Sequence, residues 1–363
     1  MTNYQKICQE LIKDLPPRQK EVILRRFALS AEASSEGGPK RETLELIGRD
    51  FGITRERVRQ IEEDGLEKIK KNLSASTGAL SESQSNSSVQ KIFKDFNQYL
   101  NAFGGFKKEA ILLESLGGKK YQPQIYFLLT INENFKRVGE TEDLYPLWLI
   151  DKNSLDLAKK VIDSLSNKLK EIGKPVGLKE LTSFHNLKKQ FLSYYTEPRS
   201  AKRDGTRWEK RFISSTLEIS KKIQKNPEGL FGLKDWPEIN PRGVKDMAYL
   251  VLKKQGEPLH FAQVANSIEG ANLQTVHNEL IRDPRFVLVG RGIYALKDWG
   301  YYPGQVKDII LKILEEEGPL DKEEILDKVL KQRQVKENTI LLNLSNKKHF
   351  LRDSQGKYSV KEA

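Results

Sequence analysis

Residues 43–71 constrain the fold more than any other part of this sequence, because they predict two short helices joined at a glycine. Leu44, Ile47 and Phe51 recur at helical spacing, so they form the apolar stripe of a first helix. Gly52 follows at the point where a helix exit requires a left-handed residue. The pattern therefore predicts a helix-turn-helix.

The second predicted helix carries polar side chains that suit a DNA groove. Thr43 and Thr54 stand where the two helices need N-caps. The predicted buried side of the second helix consists of Val58, Ile61, Leu66 and Ile69. The side chains left exposed near its start are Arg55, Glu56, Arg59 and Gln60. A helix-turn-helix lays this part of its second helix in the major groove, where Arg pairs with guanine, Gln pairs with adenine and Glu accepts from cytosine.

A solvated helix face is the alternative interpretation of this stretch. On such a face Arg55 and Arg59 would only pair with Glu62 and Glu63, and an isolated run of this composition is more often that than a DNA reader. The two capped helices around a glycine turn favour the DNA interpretation.

Two blocks of this sequence resemble region 4 of the housekeeping class of bacterial sigma factors. They are LPPRQKEVILRRFAL, at residues 15–29, and the helix-turn-helix block, in the family's order, and the resemblance covers about residues 4–73. It implies that the second helix reads the −35 promoter element of double-stranded DNA and that the domain grips the flap of the RNA polymerase β subunit. The base-edge candidates that it implies are Arg55, Glu56, Arg59 and Gln60. Its other DNA-binding candidates are Thr54 and the phosphate-facing Arg49 and Arg57.

This sequence departs from the family pattern at two places. The connection at residues 30–41 is longer than the usual one. Gly65 replaces a residue that is usually alanine, which costs helix stability.

The charge balance predicts an anionic partner. The 363 residues include 62 Lys and Arg against 50 Asp and Glu, a net charge of +12. Nucleic acid is favoured over membrane, because no basic amphipathic stretch with exposed aromatic residues is present. The single cysteine, Cys8, excludes an internal disulfide and fits a cytoplasmic, nucleoid-associated protein. We expect no cofactor, no metal and no enzymatic activity, because neither zinc spacing nor a phosphate-binding loop is found. The oligomeric state is left open.

The chain is long enough for several domains. We expect a mainly α fold with small β-hairpins, in which a helix-turn-helix head (residues 1–73) is followed by tandem winged-helix domains. Residues 74–88 are Ser-rich and predict a flexible linker, which would leave the head tethered rather than packed. The predicted winged-helix-like segments, each with three helices and a closing hairpin, are residues 89–153, 154–240, 241–300 and 301–363. The clearest hairpins are predicted at residues 286–296 and 350–360.

Residues 241–300 resemble the HARE-type winged helix, a family of chromatin and RNA polymerase-associated proteins without catalytic activity. The candidates on its third helix and hairpin tip are Gln274, Thr275, Asn278 and Arg291. They can equally be plain surface residues of a protein-binding winged helix. Residues 301–363 have an acidic first half, EEEGPLDKEE, which would repel phosphate and favours a protein partner.

Residues 154–240 hold most of the net positive charge, with 18 Lys and Arg against 11 Asp and Glu. The phosphate-binding candidates cluster around Trp208 in one insertion and are Lys202, Arg203, Arg207, Lys210 and Arg211. Trp208 would pack or stack there, and the alternative is a core tryptophan beside a solvated charged face.

Two functions remain in view. The first is a DNA-binding transcription factor or RNA polymerase accessory factor, similar to a sigma factor, that reads promoter DNA through the helix at residues 54–71. The second is a polymerase-associated or chromosome-organising scaffold whose winged helices bind mainly protein. Groove-facing Arg and Gln favour the first. No segment resembles the domain with which a complete sigma factor melts DNA, so we expect a regulator rather than a promoter-opening subunit.

Overall fold

The computed structural model describes residues 3–29, 41–75, 84–183 and 205–361. The chain divides into two compact units, a first unit at Met1–Lys234 and a second unit at Asp235–Ala363. Both are mainly helical with small antiparallel β-hairpins, so the predicted fold class is confirmed at this level. No helix in the described ranges is both long enough and apolar enough to cross a lipid bilayer.

The first unit begins with a bundle of five helices. They are α1 (Tyr4–Ile12), α2 (Pro17–Phe27), α3 (Leu44–Phe51), α4 (Arg55–Ala75) and α5 (Gln84–Ala102). Proline at the first position of α2 costs no hydrogen bond, because that amide has no partner within the helix. The predicted linker is shorter than expected, since α5 already includes residues 84–88.

A small sheet with two helices follows α5. Its elements are β1 (Phe106–Lys108), α6 (Glu109–Gly117), α7 (Gln122–Ile131), β2 (Lys136–Val138) and β3 (Leu147–Leu149). The strands are antiparallel in the order β1-β3-β2, so the last strand lies between the other two.

The first unit ends with a third group of elements. They are α8 (Lys152–Ile172), α9 (Leu178–Ser183), α10 (Gly205–Ile219), β4 (Ile223–Lys225) and β5 (Phe231–Leu233). Strand β5 pairs with β4 and makes an isolated bridge to Val176 on its other side. Lys107 of β1 is buried against α10, with its Nζ 2.7 Å from Glu218 Oε2, so the second and third groups are joined by a buried ion pair.

The two halves of the second unit share an order of three helices and a closing hairpin, and the first half has one further strand after its first helix. Its first half contains α11 (Val244–Gln255), β6 (Leu259–His260), α12 (Phe261–Asn266), α13 (Leu273–Arg282), β7 (Phe286–Gly290) and β8 (Ile293–Leu296). Its second half contains α14 (Val306–Glu317), α15 (Lys322–Gln332), α16 (Glu337–Leu344), β9 (Phe350–Arg352) and β10 (Tyr358–Val360). The two predicted hairpins are confirmed as the pairs β7–β8 and β9–β10.

The head is not tethered, and that prediction is wrong. One hydrophobic core joins α1, α2 and the end of α4 to α5, α6 and α7. Phe27 meets Phe127 of α7 with ring centroids 5.2 Å apart, and Cys8 lies against the carbonyl of Gln124. The reason is that α1 and α2 carry a second apolar stripe, which the helix-turn-helix leaves uncovered and which would otherwise face water.

Candidate nucleic-acid interface

The helix-turn-helix is built by local backbone and side-chain hydrogen bonds. Thr43 Oγ1 accepts from the amide of Leu46 at 3.2 Å, which caps α3 as predicted. Gly52 ends α3 with φ 63°, a left-handed value that favours glycine. The amide of Ile53 then donates to the carbonyl of Gly48 at 2.9 Å, so the turn folds back tightly onto α3.

A small separate core fixes the angle between the two helices. Val22 of α2, Ile47 of α3 and Val58 of α4 are each fully buried in it. Gly48 allows the close approach of the turn, because a Cβ at that position would lie 2.7 Å from the carbonyl oxygen of Ile53. The predicted apolar stripe of α3 therefore packs against the predicted buried side of α4.

The start of α4 presents one exposed polar surface. We call the recognition tip the four exposed residues Arg55, Glu56, Arg59 and Gln60. The cap of the helix is Thr54, whose Oγ1 accepts from the amide of Arg57 at 3.2 Å. Arg57 and Arg49 are also exposed, and Arg57 Nη1 donates to Gln60 Oε1 at 3.0 Å. The structure thus brings together all seven candidates that the sequence placed at this helix-turn-helix.

Ion pairs within α4 hold the central arginine of the tip. Arg59 Nε donates to Glu56 Oε2 at 2.9 Å, and its Nη1 also pairs with Glu63. The hydrogen bond from Arg59 holds the pKa of Glu56 below its usual range, so Glu56 is ionised at neutral pH and can only accept. Both partners are exposed, where ion pairs are weak, so Arg59 can exchange them for a base edge.

Arg25 and Arg26 of α2 hold the helix-turn-helix in place, a role that the sequence analysis missed. Arg25 Nε donates to Glu42 Oε2 at 2.9 Å, and its guanidinium also pairs with Asp50 at the end of α3. Arg26 Nε donates to Glu62 Oε2 of α4 at 3.0 Å. The two arginines therefore connect α2 to the start of α3, its end and the middle of α4. The sequence indicates this role only through their position in the last turn of α2, and that position does not show which acidic residues they contact.

The basic candidates of the insertion lie largely outside the described residues. Lys202 and Arg203 fall there, and the side chain of Arg207 does too. Lys210 is exposed on α10, whereas the guanidinium of Arg211 lies 5.7 Å from the centre of the Phe103 ring.

Trp208 is half-buried against its own unit. Its Nε1 donates to the carbonyl of Asn101 at 3.4 Å, and its ring lies 5.5 Å from that of Phe212. The tryptophan therefore packs on the protein, which both interpretations of the insertion allow.

The candidates of residues 241–300 lie in the second unit. Gln274, Thr275 and Asn278 are exposed on α13, and Gln274 Nε2 donates to Asn278 Oδ1 at 3.1 Å. Arg291 is exposed at the turn between β7 and β8. Apolar side chains are exposed on the same helix, since Ile281 keeps 62% of its surface accessible.

Helix α7 has no exposed face. Every residue of it is buried or half-buried, because α1, α2 and α4 cover one side and α6 covers another. The half-buried Tyr126 is covered on its ring face, since the guanidinium of Arg41 lies 3.9 Å from the ring centre. This helix therefore serves the core of the first unit and cannot enter a DNA groove.

Residues 11–71 match the Sigma-70, region 4 family model. RNA polymerase sigma factor RpoD of Neisseria gonorrhoeae is 35% identical over 69 residues, which are 19% of this chain and 10% of that protein. RNA polymerase sigma-C factor of Nostoc sp. is 42% identical over 66 residues, which are 18% of this chain and 14% of that protein. The chain thus matches a small fraction of these relatives' length, at its N-terminal helix-turn-helix, and the resemblance to sigma region 4 is confirmed there.

Proposed function

We propose that this chain is a DNA-binding transcription factor or RNA polymerase accessory factor that reads promoter DNA through α4. The observation that carries the proposal is the recognition tip: four exposed side chains with base-pairing chemistry at the start of the second helix of a region 4-like helix-turn-helix. The matched relatives are named as RNA polymerase sigma factors, which supports DNA and RNA polymerase as partners. A contact with the flap of the polymerase β subunit is part of the proposal.

The mechanism follows from the geometry of the tip. Arg59 leaves Glu56 and Glu63 and pairs bidentately with a guanine, while the freed Glu56 accepts from the amino group of a cytosine. Gln60 leaves Arg57 and pairs with an adenine, and Arg57 turns to a phosphate. Each step replaces an exposed contact within α4 by a contact to DNA. Exposed ion pairs contribute little free energy, so breaking them costs the free protein little.

We further propose that the segments after the head are winged-helix repeats, with residues 241–300 of the HARE type. The supporting observation is a shared order of helix, strand, two helices and two strands, with the last strand in the middle of the sheets β1-β3-β2 and β6-β8-β7. In the segments at residues 154–240 and 301–363, a single bridging residue occupies the position of that first strand. These bridges are Val176–Phe231 and Leu320–Tyr358. In this proposal the basic insertion of residues 154–240 adds phosphate contacts, and the protein acts at the nucleoid in the cytoplasm.

Binding-site selection from random duplex DNA with the whole chain tests the main proposal. We expect a defined sequence motif, and we expect Arg59→Ala to weaken binding to it by about 10- to 100-fold and to relax one base position. Lys71→Ala is the matched control, since Lys71 is an exposed cation of the same helix, paired with Glu67 at 3.0 Å and far along α4 from the tip. If Arg59→Ala and Lys71→Ala select the same motif with the same affinity, α4 does not read DNA.

A protein-binding scaffold is the second candidate function, and the exposed apolar side chains favour it for the second unit. Among the described residues, seven of the nine large apolar side chains that are exposed lie there, and they are Met247, Leu273, Ile281, Leu288, Leu330, Leu342 and Leu351. Leu273 and Ile281 flank Gln274 and Asn278 on α13, so a protein partner could use this helix. A chain that selects no DNA motif but co-purifies with RNA polymerase would support this candidate over the first.

A further inference from the structure

A basic hairpin closes the second unit. The chain enters β9 through the exposed Lys347 and Lys348. The amide of Lys361 donates to the carbonyl of His349 at 2.9 Å, which brings Lys361 beside that entry. Residues 338–361 contain five Lys and Arg against a single Asp. We call β9, β10 and their flanking lysines the C-terminal hairpin.

The charges of the C-terminal hairpin are not neutralised by the part of the chain that the structure describes. Lys347, Lys348 and Lys361 form no ion pair with any described residue. The carboxylate of Asp353 is occupied by the turn itself, because its Oδ1 accepts from the amides of Gln355 and Lys357. Several unpaired lysines on one small element create a positive potential that attracts a polyanion.

The acidic residues before the hairpin lie on other elements, and three of them form ion pairs there. Residues 301–337 hold nine Asp and Glu against seven Lys and Arg. The ion pairs on α14 and α15 are Lys312–Glu316, Lys328–Glu317 and Lys331–Asp327. The segment is thus divided into an acidic helical part with internal ion pairs and a basic hairpin that forms none with the residues described. The prediction of a protein partner for residues 301–363 rests on the acidic first half alone.

We propose that the C-terminal hairpin is a phosphate-binding surface that contacts the backbone of duplex DNA irrespective of sequence. Lysines serve as point charges toward phosphate and need no aligned partner, which suits side chains at an exposed strand end. Contacts of this kind position a protein on DNA without reading bases. The surface lies in a different compact unit from the recognition tip, and it does not depend on base reading by the tip.

Salt-dependent binding of the whole chain to a labelled duplex of random sequence tests this proposal. The test variant is K347Q/K348Q/K361Q, and the matched control is K312Q/K328Q/K331Q, which removes the same charge from lysines that are already paired. We expect the test variant to bind about tenfold or more weakly and to reduce the slope of log affinity against log salt by up to about three. We expect the control to keep the slope of the parent chain. Equal slopes in both variants, with unchanged thermal unfolding, would overturn the proposal.

Two further experiments distinguish this proposal from base reading by the recognition tip and from lipid binding. Arg59→Ala should change the selected motif and leave the salt slope of random-sequence binding within about one of the parent value, so failure of the tip and failure of the hairpin have different signatures. Vesicles of phosphatidylserine and phosphatidylcholine probe the exposed Leu351 beside the lysines. If K347Q/K348Q/K361Q loses vesicle binding but keeps DNA binding, the surface recognises lipid and the DNA proposal is wrong.

Discussion

Two glycines of the helix-turn-helix differ in what a side chain would meet. A Cβ on Gly65 would lie 3.4 Å from the nearest atom of Ile23, an ordinary contact, within a helix where glycine costs stability. A Cβ on Gly48 would lie 2.7 Å from a backbone carbonyl that cannot move away freely. The first glycine is therefore dispensable and the second is required by the turn.

We predict that Gly65→Ala raises the free energy of unfolding of the first unit by about 0.5–1 kcal/mol. We predict that Gly48→Ala lowers it by about 1–3 kcal/mol, because the turn must shift to admit the methyl group. Chemical denaturation followed by circular dichroism measures both, and each variant controls for the other. Destabilisation by Gly65→Ala would mean that α2 and α4 approach more closely than described.

At the scale of elements, the orientation of the recognition tip depends on α2. Arg25 joins this helix to Glu42 and Asp50, and Arg26 joins it to Glu62. The hydrogen bonds to Glu42 and Asp50 raise the pKa of Arg25 above its already high usual value, so this side chain stays charged throughout the accessible pH range. Its partners lie just before α3 and in the last turn of α3, so this helix is held at both ends.

We predict that Arg25→Gln lowers the free energy of unfolding of the first unit by about 1–2 kcal/mol, since charge-assisted hydrogen bonds are lost. DNA affinity should fall while the selected motif stays the same, because the tip residues remain but α3 and α4 are held less firmly. Lys20→Gln, with the same charge change on the same helix, is the control. A changed motif in Arg25→Gln would show that this arginine reads a base.

The sequence predicts α3, the turn and α4 well because their determinants are local. Thr43 and Thr54 cap within three residues, and Gly52 acts through its own backbone angle. The partners of Arg25 and Arg26 lie 17 to 36 residues away, and a charge pattern does not select among several acidic residues at such distances. The tip was therefore found from the sequence, and the groups that orient it were not.

At the scale of the whole molecule, the head shares a hydrophobic core with α5, α6 and α7, whereas the sequence predicts a head that does not pack on the residues after it. The Ser-rich composition of residues 74–88 predicts a linker, but it does not show which apolar residues the helices on either side bury. Ile12 and Phe27 face away from the helix-turn-helix and pack with residues of α7. Such pairing between distant apolar stripes is set by tertiary packing, which periodicity does not reveal.

The single cysteine reports on this shared core. Burial raises the pKa of the Cys8 thiol, so it reacts slowly with thiol reagents while the core is closed. We predict that Phe127→Ala costs the first unit about 3–5 kcal/mol and speeds modification of Cys8, because the cavity loosens α1 from α7. Phe350→Ala, in the second unit, should leave the rate unchanged. Equal rates in the parent chain and Phe127→Ala would contradict a core shared by α1 and α7.

The burial of α7 also determines how the first unit would meet a duplex. One hydrophobic core joins the helix-turn-helix to the sheet behind it. If α4 reads DNA as proposed, the flanking protein therefore lies at a fixed position along the duplex relative to the bases that are read. A footprint should then show protection at a constant offset from the motif on every promoter.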